Sequence, residues 1–409
     1  MRDVIVFGTA LRGSEAHFVL SQLSEYRAVA FSCNNEAHWG GEKEGLPIIP
    51  PKDIPRLYKD AIVVIASAYY VEIRKQILDR ELVPMERCLD SIHEIIRKLP
   101  EDNRAALISQ LFSRKNYNYV WLQAMLDKAS KIPGPGAVLI TGSSYGVNGI
   151  IEQMWKEAVN CSVSSQDLYY DFQCAYKVIS NSANERFSRC FIIGGYYAAC
   201  HDLSRGKQEH TMISDVYYPI FKDGHNWREA MQNDLWLDVG EGEIPGEEKK
   251  RCEQLAIERM LQQGTYFAEE KQRGGTVFDL NGLNWWELPA EKRRELGRIR
   301  AESHNKLFQN KAAIEENRKI LNDYVHFLHL NGIMPVFVIA PFTVEYTTHI
   351  SQEMKASIFE LLLSVSEKIR FVDFNQFTCF ETSDFVDTDH LSEKGAEKFS
   401  RMLVELFKE

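Results

Sequence analysis

The sequence has no pair of cysteines at CxxC or any other short ligand spacing: Cys33, Cys88, Cys161, Cys174, Cys190, Cys200, Cys252 and Cys379 lie scattered along 409 residues. That spacing offers neither a zinc-binding module nor a disulfide framework, so the eight thiols read as free in a reducing compartment. No stretch reaches the ~18 uncharged apolar residues that a membrane helix needs. The opening MRDVIVFGTALRGSEAHF has a five-residue apolar run followed by charges, unlike a signal peptide. The expectation is a cytoplasmic protein that is not integral to a membrane. Basic excess is also missing: 48 Lys and Arg stand against 58 Asp and Glu, and a net charge of -10 argues against a nucleic acid partner. Constant-period repeats and low-complexity tracts are lacking too, which removes solenoids and disordered tails from consideration.

What is present is an alternation of strands and helices, long enough for two cores. VIVFG (Val4 to Gly8), AVAFS (Ala28 to Ser32) and AIVVIAS (Ala61 to Ser67) are short apolar runs separated by helical stretches. Such runs, apolar on both faces, predict a parallel sheet covered by helices over residues 1–100. Residues 101–134 read as a helical linker ending in KIPGPG, where two prolines and two glycines break any element. A second alternating domain, 135–409, contains the strands AVLITGSS, CSVSS (Cys161 to Ser165), RCFIIGG, MPVFVIAP and IRFVDFN. It is interrupted by an insertion at about 205–300, too long to be an idle loop and expected to shape a pocket or a partner surface. The predicted class is α/β, with two parallel-sheet domains.

Two stretches carry chemistry. In TGSSYGVNGI, Thr141 to Ile150, a strand passes through a small-residue turn into a helix, which lifts a serine to the carboxyl edge of the sheet. Neither a P-loop lysine nor GxGxxG is present, so a nucleophile turn fits better than a phosphate cradle. In DTDHLSEKGA, Asp387 stands three residues before His390 and can turn back to hold the imidazole, giving a base and its orienting acid. Taken singly, Ser144 reads more readily as a helix cap than as a nucleophile, and Asp387 or Asp389 as a cap of the helix that follows.

In their order, TGSSYG, NCSVSSQDLYYD, FIIGGYYAACHDLS and FVDTDHLSEKGAEKF resemble the SGNH/GDSL hydrolase superfamily over about 135–409. More narrowly, they are similar to the branch that accompanies surface-polysaccharide synthesis and teichoic acid D-alanine transfer. The resemblance implies a flavodoxin-like sheet with Ser144 as nucleophile, His390 as base and Asp387 as its orienter. It also implies an oxyanion hole formed from Ser144 and the neighbourhoods of Ser164-Ser165 and Gly194-Tyr196. The family's glycine is replaced at Ser164-Ser165 and its asparagine at Tyr196. The implied activity is a serine esterase or O-acyltransferase on a carbohydrate or glycan precursor, with the alternative of a non-catalytic glycan-assembly protein binding a nucleotide sugar. No cofactor is needed for the acyl chemistry. Acetyl-CoA as acyl donor, a nucleotide in the N-terminal domain and a second copy of the chain as partner all stay open.

Gly8 and Gly13, after the first strand, resemble the turn of nucleotide-sugar-type Rossmann-like domains, but only two fingerprint glycines are present and Asn34 stands where an acidic ribose ligand is expected. HDLS, His201 to Ser204, reads as a capping sequence, and Trp285, Trp286 and Tyr266 as packing rather than sugar contacts. His304, His326 and His329 lie on a predicted helix without zinc-like partners, so no metal is assigned.

Overall fold

The computed structural model describes residues 1–132, 135–180, 186–207, 209–236, 245–263, 277–278, 280 and 283–408. The chain divides into two compact units, Met1–Lys115 with Trp236–Ala256 and Asn116–Leu235 with Ile257–Glu409. The division falls inside the expected 101–134 linker, which is two helices, Glu101–Lys115 and Tyr117–Ser130. Asn116 separates them, its side chain donating to the Leu235 carbonyl at 2.8 Å instead of continuing a helix.

In the first unit, six strands are ordered β3-β4-β2-β1-β5-β6: β1 Arg2–Phe7, β2 Tyr26–Ser32, β3 Glu42–Lys43, β4 Leu46–Ile49, β5 Ile62–Ile65 and β6 Cys88–Leu89. All neighbours are parallel except the two-residue β3. Alternate residues sort into two cores, as a strand period of two requires: Val4, Val6, Phe31 and Val64 enter one, and Ile5, Phe7, Ala30, Val63 and Ile65 the other. The helices Leu11–Ser21 and Glu101–Lys115 close the first core with Ala16, Val19, Ile108 and Leu111. The helix Tyr70–Asp79 closes the second with Ile73 and Ile77. Each side chain fully buried in this way contributes roughly 1.5–3 kcal/mol.

The second unit holds β7 Ala137–Gly142, β8 Ala158–Asn160, β9 Phe187–Gly194, β10 Met334–Ile339 and β11 Arg370–Asp373, in the order β11-β10-β9-β7-β8. Every pair is parallel. Counted within the unit, this is strand order 2-1-3-4-5, whose topological switch lies outside the carboxyl ends of β7 and β9. Cys190 meets Tyr324 of the helix Lys311–Leu330, while its neighbour Phe191 meets Phe407 just beyond the helix Glu393–Leu406, so these helices cover opposite faces.

The second strand runs three residues earlier than the expected Cys161 to Ser165. Cys161 and Val163 still donate to the Ile140 and Gly142 carbonyls at 2.8 and 3.0 Å, but Ser162 N–H turns to the Asn160 side chain at 3.0 Å. That local side-chain bond ends the regular ladder and frees Ser164-Ser165 for a turn.

Candidate active site

The serine turn follows from one close approach. Gly142 has φ +140°, and a Cβ there would lie 2.1 Å from the Ile193 carbonyl oxygen, so only glycine lets β7 turn this tightly against β9. Ser143 N–H then bonds that carbonyl at 3.2 Å, and Ser144 opens the helix Ser144–Gly149. Two ties hold the helix. Asn160 Nδ2 donates to the Gly146 carbonyl at 3.0 Å, and Ser400 Oγ donates to the Gly149 carbonyl while accepting from Ile151 N–H, both at 2.9 Å. The second tie joins the serine helix to the C-terminal helix, which follows His390 directly.

Ser392 caps that C-terminal helix, its hydroxyl accepting from Gly395 N–H at 3.3 Å. The capping role weighed for Asp387 and Asp389 therefore belongs to Ser392. Asp387 folds back instead: Oδ1 accepts from the N–H groups of Asp389 and His390 at 2.9 and 2.8 Å, and Oδ2 from Val277 N–H at 3.0 Å. Both oxygens also lie against His390 Nδ1, at 3.1 and 3.0 Å. A carboxylate only accepts, so Nδ1 carries the proton, and Nε2, 2.8 Å from Ser144 Oγ, is left to accept. The structure thus brings Ser144, His390 and Asp387 into one hydrogen-bonded line; Ser144 is half-buried and the other two are buried.

The electrostatics favour a chargeable imidazole. Burial alone would lower the His390 pKa, but the carboxylates of Asp387 and Asp389 outweigh it and raise the value above 6.5. Asp389 is buried as well. Burial would raise its pKa, yet His390 and Arg300 hold it well below the usual carboxylate range. Behind this centre His304 is buried against Tyr197 and bonded to Tyr346, and burial, reinforced by the Arg300 charge, pushes its pKa down to about 3.

The oxyanion candidates fall into two groups. Ser144 N–H, in the first turn of its helix, has no preceding helical carbonyl to meet. Ser164 is half-buried, and Ser165 is exposed with φ +61°, the left-handed conformation that glycine takes without cost, so serine occupies a glycine-like backbone state there. His201 Nε2 donates to the Ser165 carbonyl at 2.9 Å and holds that turn. Because Val163 pairs with Gly142, the turn lies beside Ser144 at the sheet edge. On the other side, the Gly194 carbonyl accepts from Ala340 N–H at 3.0 Å, within the sheet. Tyr196 corrects the sequence expectation: its hydroxyl donates to Asp373 Oδ2 at 2.9 Å and its ring is buried, so its side chain is no donor to this site.

The remaining candidates take structural roles. Asp202 caps the turn Leu203–Arg205 by accepting from Ser204 N–H. Trp285 is buried, Trp286 is exposed, and Tyr266 lies outside the described residues. His326 meets Glu367, and His329 Nε2 donates to the Lys368 carbonyl at 2.7 Å. Among the described residues, two carboxylate–histidine groups approach metal-ligand spacing. One is Asp387, Asp389 and His390 itself; in the other, Asp167, Asp202 and His225, the Arg205 guanidinium already takes Asp202 Oδ2 at 2.6 Å. In the first unit, a Cβ at Gly8 would lie 2.3 Å from the Ala66 carbonyl oxygen, and one at Gly13 2.2 Å from that of Gly8, so backbone packing alone requires both glycines. Asn34 pairs with Gln76 through two 2.8 Å bonds. The carboxyl edge there opens into a cavity of about 750 Å³ lined by Arg12, Glu15, Ser67, Tyr70, Asp90 and Arg97.

The fold is that of a two-unit α/β protein, with a hydrogen-bonded serine, histidine and aspartate at the switch point of its second sheet. A family model described as C2185-like, N-terminal, matches residues 1–89, within the first unit. No curated protein matches the chain. No helix among the described residues is long and apolar enough to cross a membrane.

Proposed function

We propose that the chain is a serine-dependent esterase or O-acyltransferase acting on a carbohydrate or cell-surface glycan precursor. The 2.8 Å contact between Ser144 Oγ and His390 Nε2, with Asp387 on Nδ1, carries this reading. Ser144 Oγ attacks the acyl carbonyl carbon as its proton passes to His390 Nε2. The carbonyl oxygen gains the negative charge and meets the N–H of Ser144 and of the Ser164-Ser165 turn; each such donor is worth ~3 kcal/mol in the transition state. Collapse breaks the bond to the leaving group, which departs with the proton from His390 and leaves an acyl-serine. Water or a sugar hydroxyl then gives up a proton to His390 and attacks the acyl carbon; the bond from that carbon to Ser144 Oγ breaks as His390 returns the proton to Oγ, restoring the serine and the neutral imidazole. The glycan class rests on the resemblance to polysaccharide-associated SGNH hydrolases. A fluorophosphonate probe labels the unsubstituted protein and leaves Ser144→Ala unlabelled; equal labelling of both removes the nucleophile.

A second reading rests on the cavity of about 750 Å³ at the carboxyl edge of the first sheet, whose lining includes Arg12, Arg97 and Tyr70. It makes the chain a glycan-assembly protein that binds a nucleotide sugar. Calorimetric binding of a nucleotide diphosphate sugar, unchanged in Ser144→Ala and without acyl-ester turnover, selects it.

A further inference from the structure

Two carboxylates, not one, compete for the same imidazole proton. Asp387 lies 3.0 and 3.1 Å from His390 Nδ1, and Asp389 Oδ1 lies 3.8 Å from the same nitrogen. Asp389 has a fully buried side chain and no bond to His390, because its oxygens are occupied. Arg300 Nε bonds both, at 3.2 and 3.0 Å; Thr388 Oγ1 donates to Oδ1 at 2.7 Å, and Tyr145 OH to Oδ2 at 3.0 Å. Arg300 comes from the helix Ala290–Asn305, remote in sequence from the histidine turn, and is itself largely buried. A buried guanidinium is costly unless it answers a buried charge, and Asp389 is that charge.

We propose that Arg300 is a positioning residue: by engaging Asp389 it prevents that carboxylate from capturing His390 Nδ1, and so keeps the ring on Asp387 with Nε2 aimed at Ser144. This rests on the acyl-transfer reading of the site. Without Arg300, Asp389 loses its counter-charge and keeps only the Thr388 and Tyr145 hydroxyls, and a swing of Nδ1 toward it moves Nε2 away from Ser144 Oγ. Among the described residues, the charged and titratable groups facing His390 are Asp387 and Asp389 on its own turn, Arg300 and His304 on the helix Ala290–Asn305, and Tyr145 beside Ser144. Tyr145 is held well above its ordinary pKa by burial and by Asp389, and His304 stays neutral well below pH 6, so among the described residues the two carboxylates and Arg300 set the ring's charge near neutrality.

The test measures fluorophosphonate labelling rates against pH, together with the ¹⁵N shifts of His390 in histidine-labelled full-length protein. In Arg300→Gln, labelling slows by at least about tenfold, as misplacement of a reacting group implies. The His390 titration midpoint rises by about one pH unit as the opposing cation disappears. In the double variant Arg300→Gln/Asp389→Asn both values return to within about threefold and a few tenths of a unit, because the rival carboxylate has gone with its partner. Arg300→Lys, which keeps the charge, stays near the unsubstituted rate. If Arg300→Gln does not fold, the double variant and Arg300→Lys decide. A folded double variant as slow as about a hundredfold below the unsubstituted protein overturns the proposal, as does an Arg300→Gln protein with unchanged rate and midpoint. Absence of labelling in the unsubstituted protein sinks the acyl-transfer reading instead; the ¹⁵N titrations need no turnover and still judge Arg300.

Discussion

Replacing Asp387 by Asn alters one atom and should reverse the direction of the proton path. Oδ1 accepts two backbone N–H groups, from Asp389 and His390, so the amide oxygen must stay at that position; flipping it would bury two donors against an NH₂. The amide nitrogen then takes the place of Oδ2, facing Val277 N–H and His390 Nδ1. A donor now meets Nδ1, and the ring answers by moving its proton to Nε2. Nε2–H donates to Ser144 Oγ instead of accepting from it, and no base remains. The same inversion at a serine–histidine–aspartate site lowers kcat by about 10⁴, equivalent to about 5.5 kcal/mol of barrier. The displaced Val277 N–H adds about 1–3 kcal/mol of lost stability, small enough for a folded protein. Second-order labelling by a fluorophosphonate, followed by intact mass at pH 8 on protein of verified secondary structure, measures the loss. Labelling of the Asn variant within about tenfold of the unsubstituted rate refutes the tautomer argument, since that argument predicts a loss near 10⁴.

Three further outcomes follow from the same geometry. In the proposed reaction the neutral ring is the base, and its carboxylate neighbours raise its pKa, so the labelling rate climbs with pH through a midpoint above 6.5; a midpoint at or below 6.5 contradicts the assigned neighbours. His304 behaves oppositely. Its folded pKa is depressed to about 3, so its contribution to stability is complete above pH 6.5 and declines as pH falls toward 3, by about 1.4 kcal/mol per unit and about 3 kcal/mol by pH 4. Urea midpoints should therefore fall more steeply with acid in the unsubstituted protein than in His304→Gln, and parallel slopes would exclude this source. At Ser165, glycine relieves the left-handed strain, so Ser165→Gly keeps or gains up to about 1 kcal/mol and labels normally. Ser165→Val there costs about 1–3 kcal/mol and slows labelling, whereas equal behaviour of the two variants in urea and with the probe rules out a conformational role.

What could be read in the sequence was local. The DTDHLSEKGA stretch encloses the acid, the base and the Ser392 cap within six residues, Asp387 to Ser392, so its turn is written in one segment. The serine turn is legible for a similar reason: a glycine before two serines at the end of an apolar strand marks a tight turn into a helix within one segment. Sequence reasoning failed where a side chain's partner lies far along the chain. Tyr196 stands where the resemblance implied an oxyanion donor, but Asp373, at the end of a strand two places away, claims its hydroxyl. The second strand ends at Asn160 and not at Ser165 because the Asn160 side chain competes for a backbone N–H, a choice that propensity does not register. The Val277 contact with Asp387 left no trace, since every residue but proline offers the same backbone donor.

Arg300 shows why such omissions gather at the centre of a site. It stands 89 residues before Asp389, in a helix segment rich in Glu and Arg where nothing separates it from the exposed Arg298 two residues away. On the helix those neighbours face different directions: Arg298 pairs with Glu302 in solvent, while Arg300 reaches a fully buried carboxylate. Periodicity gives the direction, but only the fold decides what lies there. A base served by two nearby acids needs one of them restrained, and the restraint can come from any element that reaches the site. On the proposed reading the motif supplies the reacting atoms, while the selectivity of His390 for Asp387 over Asp389 depends on a residue that no motif contains.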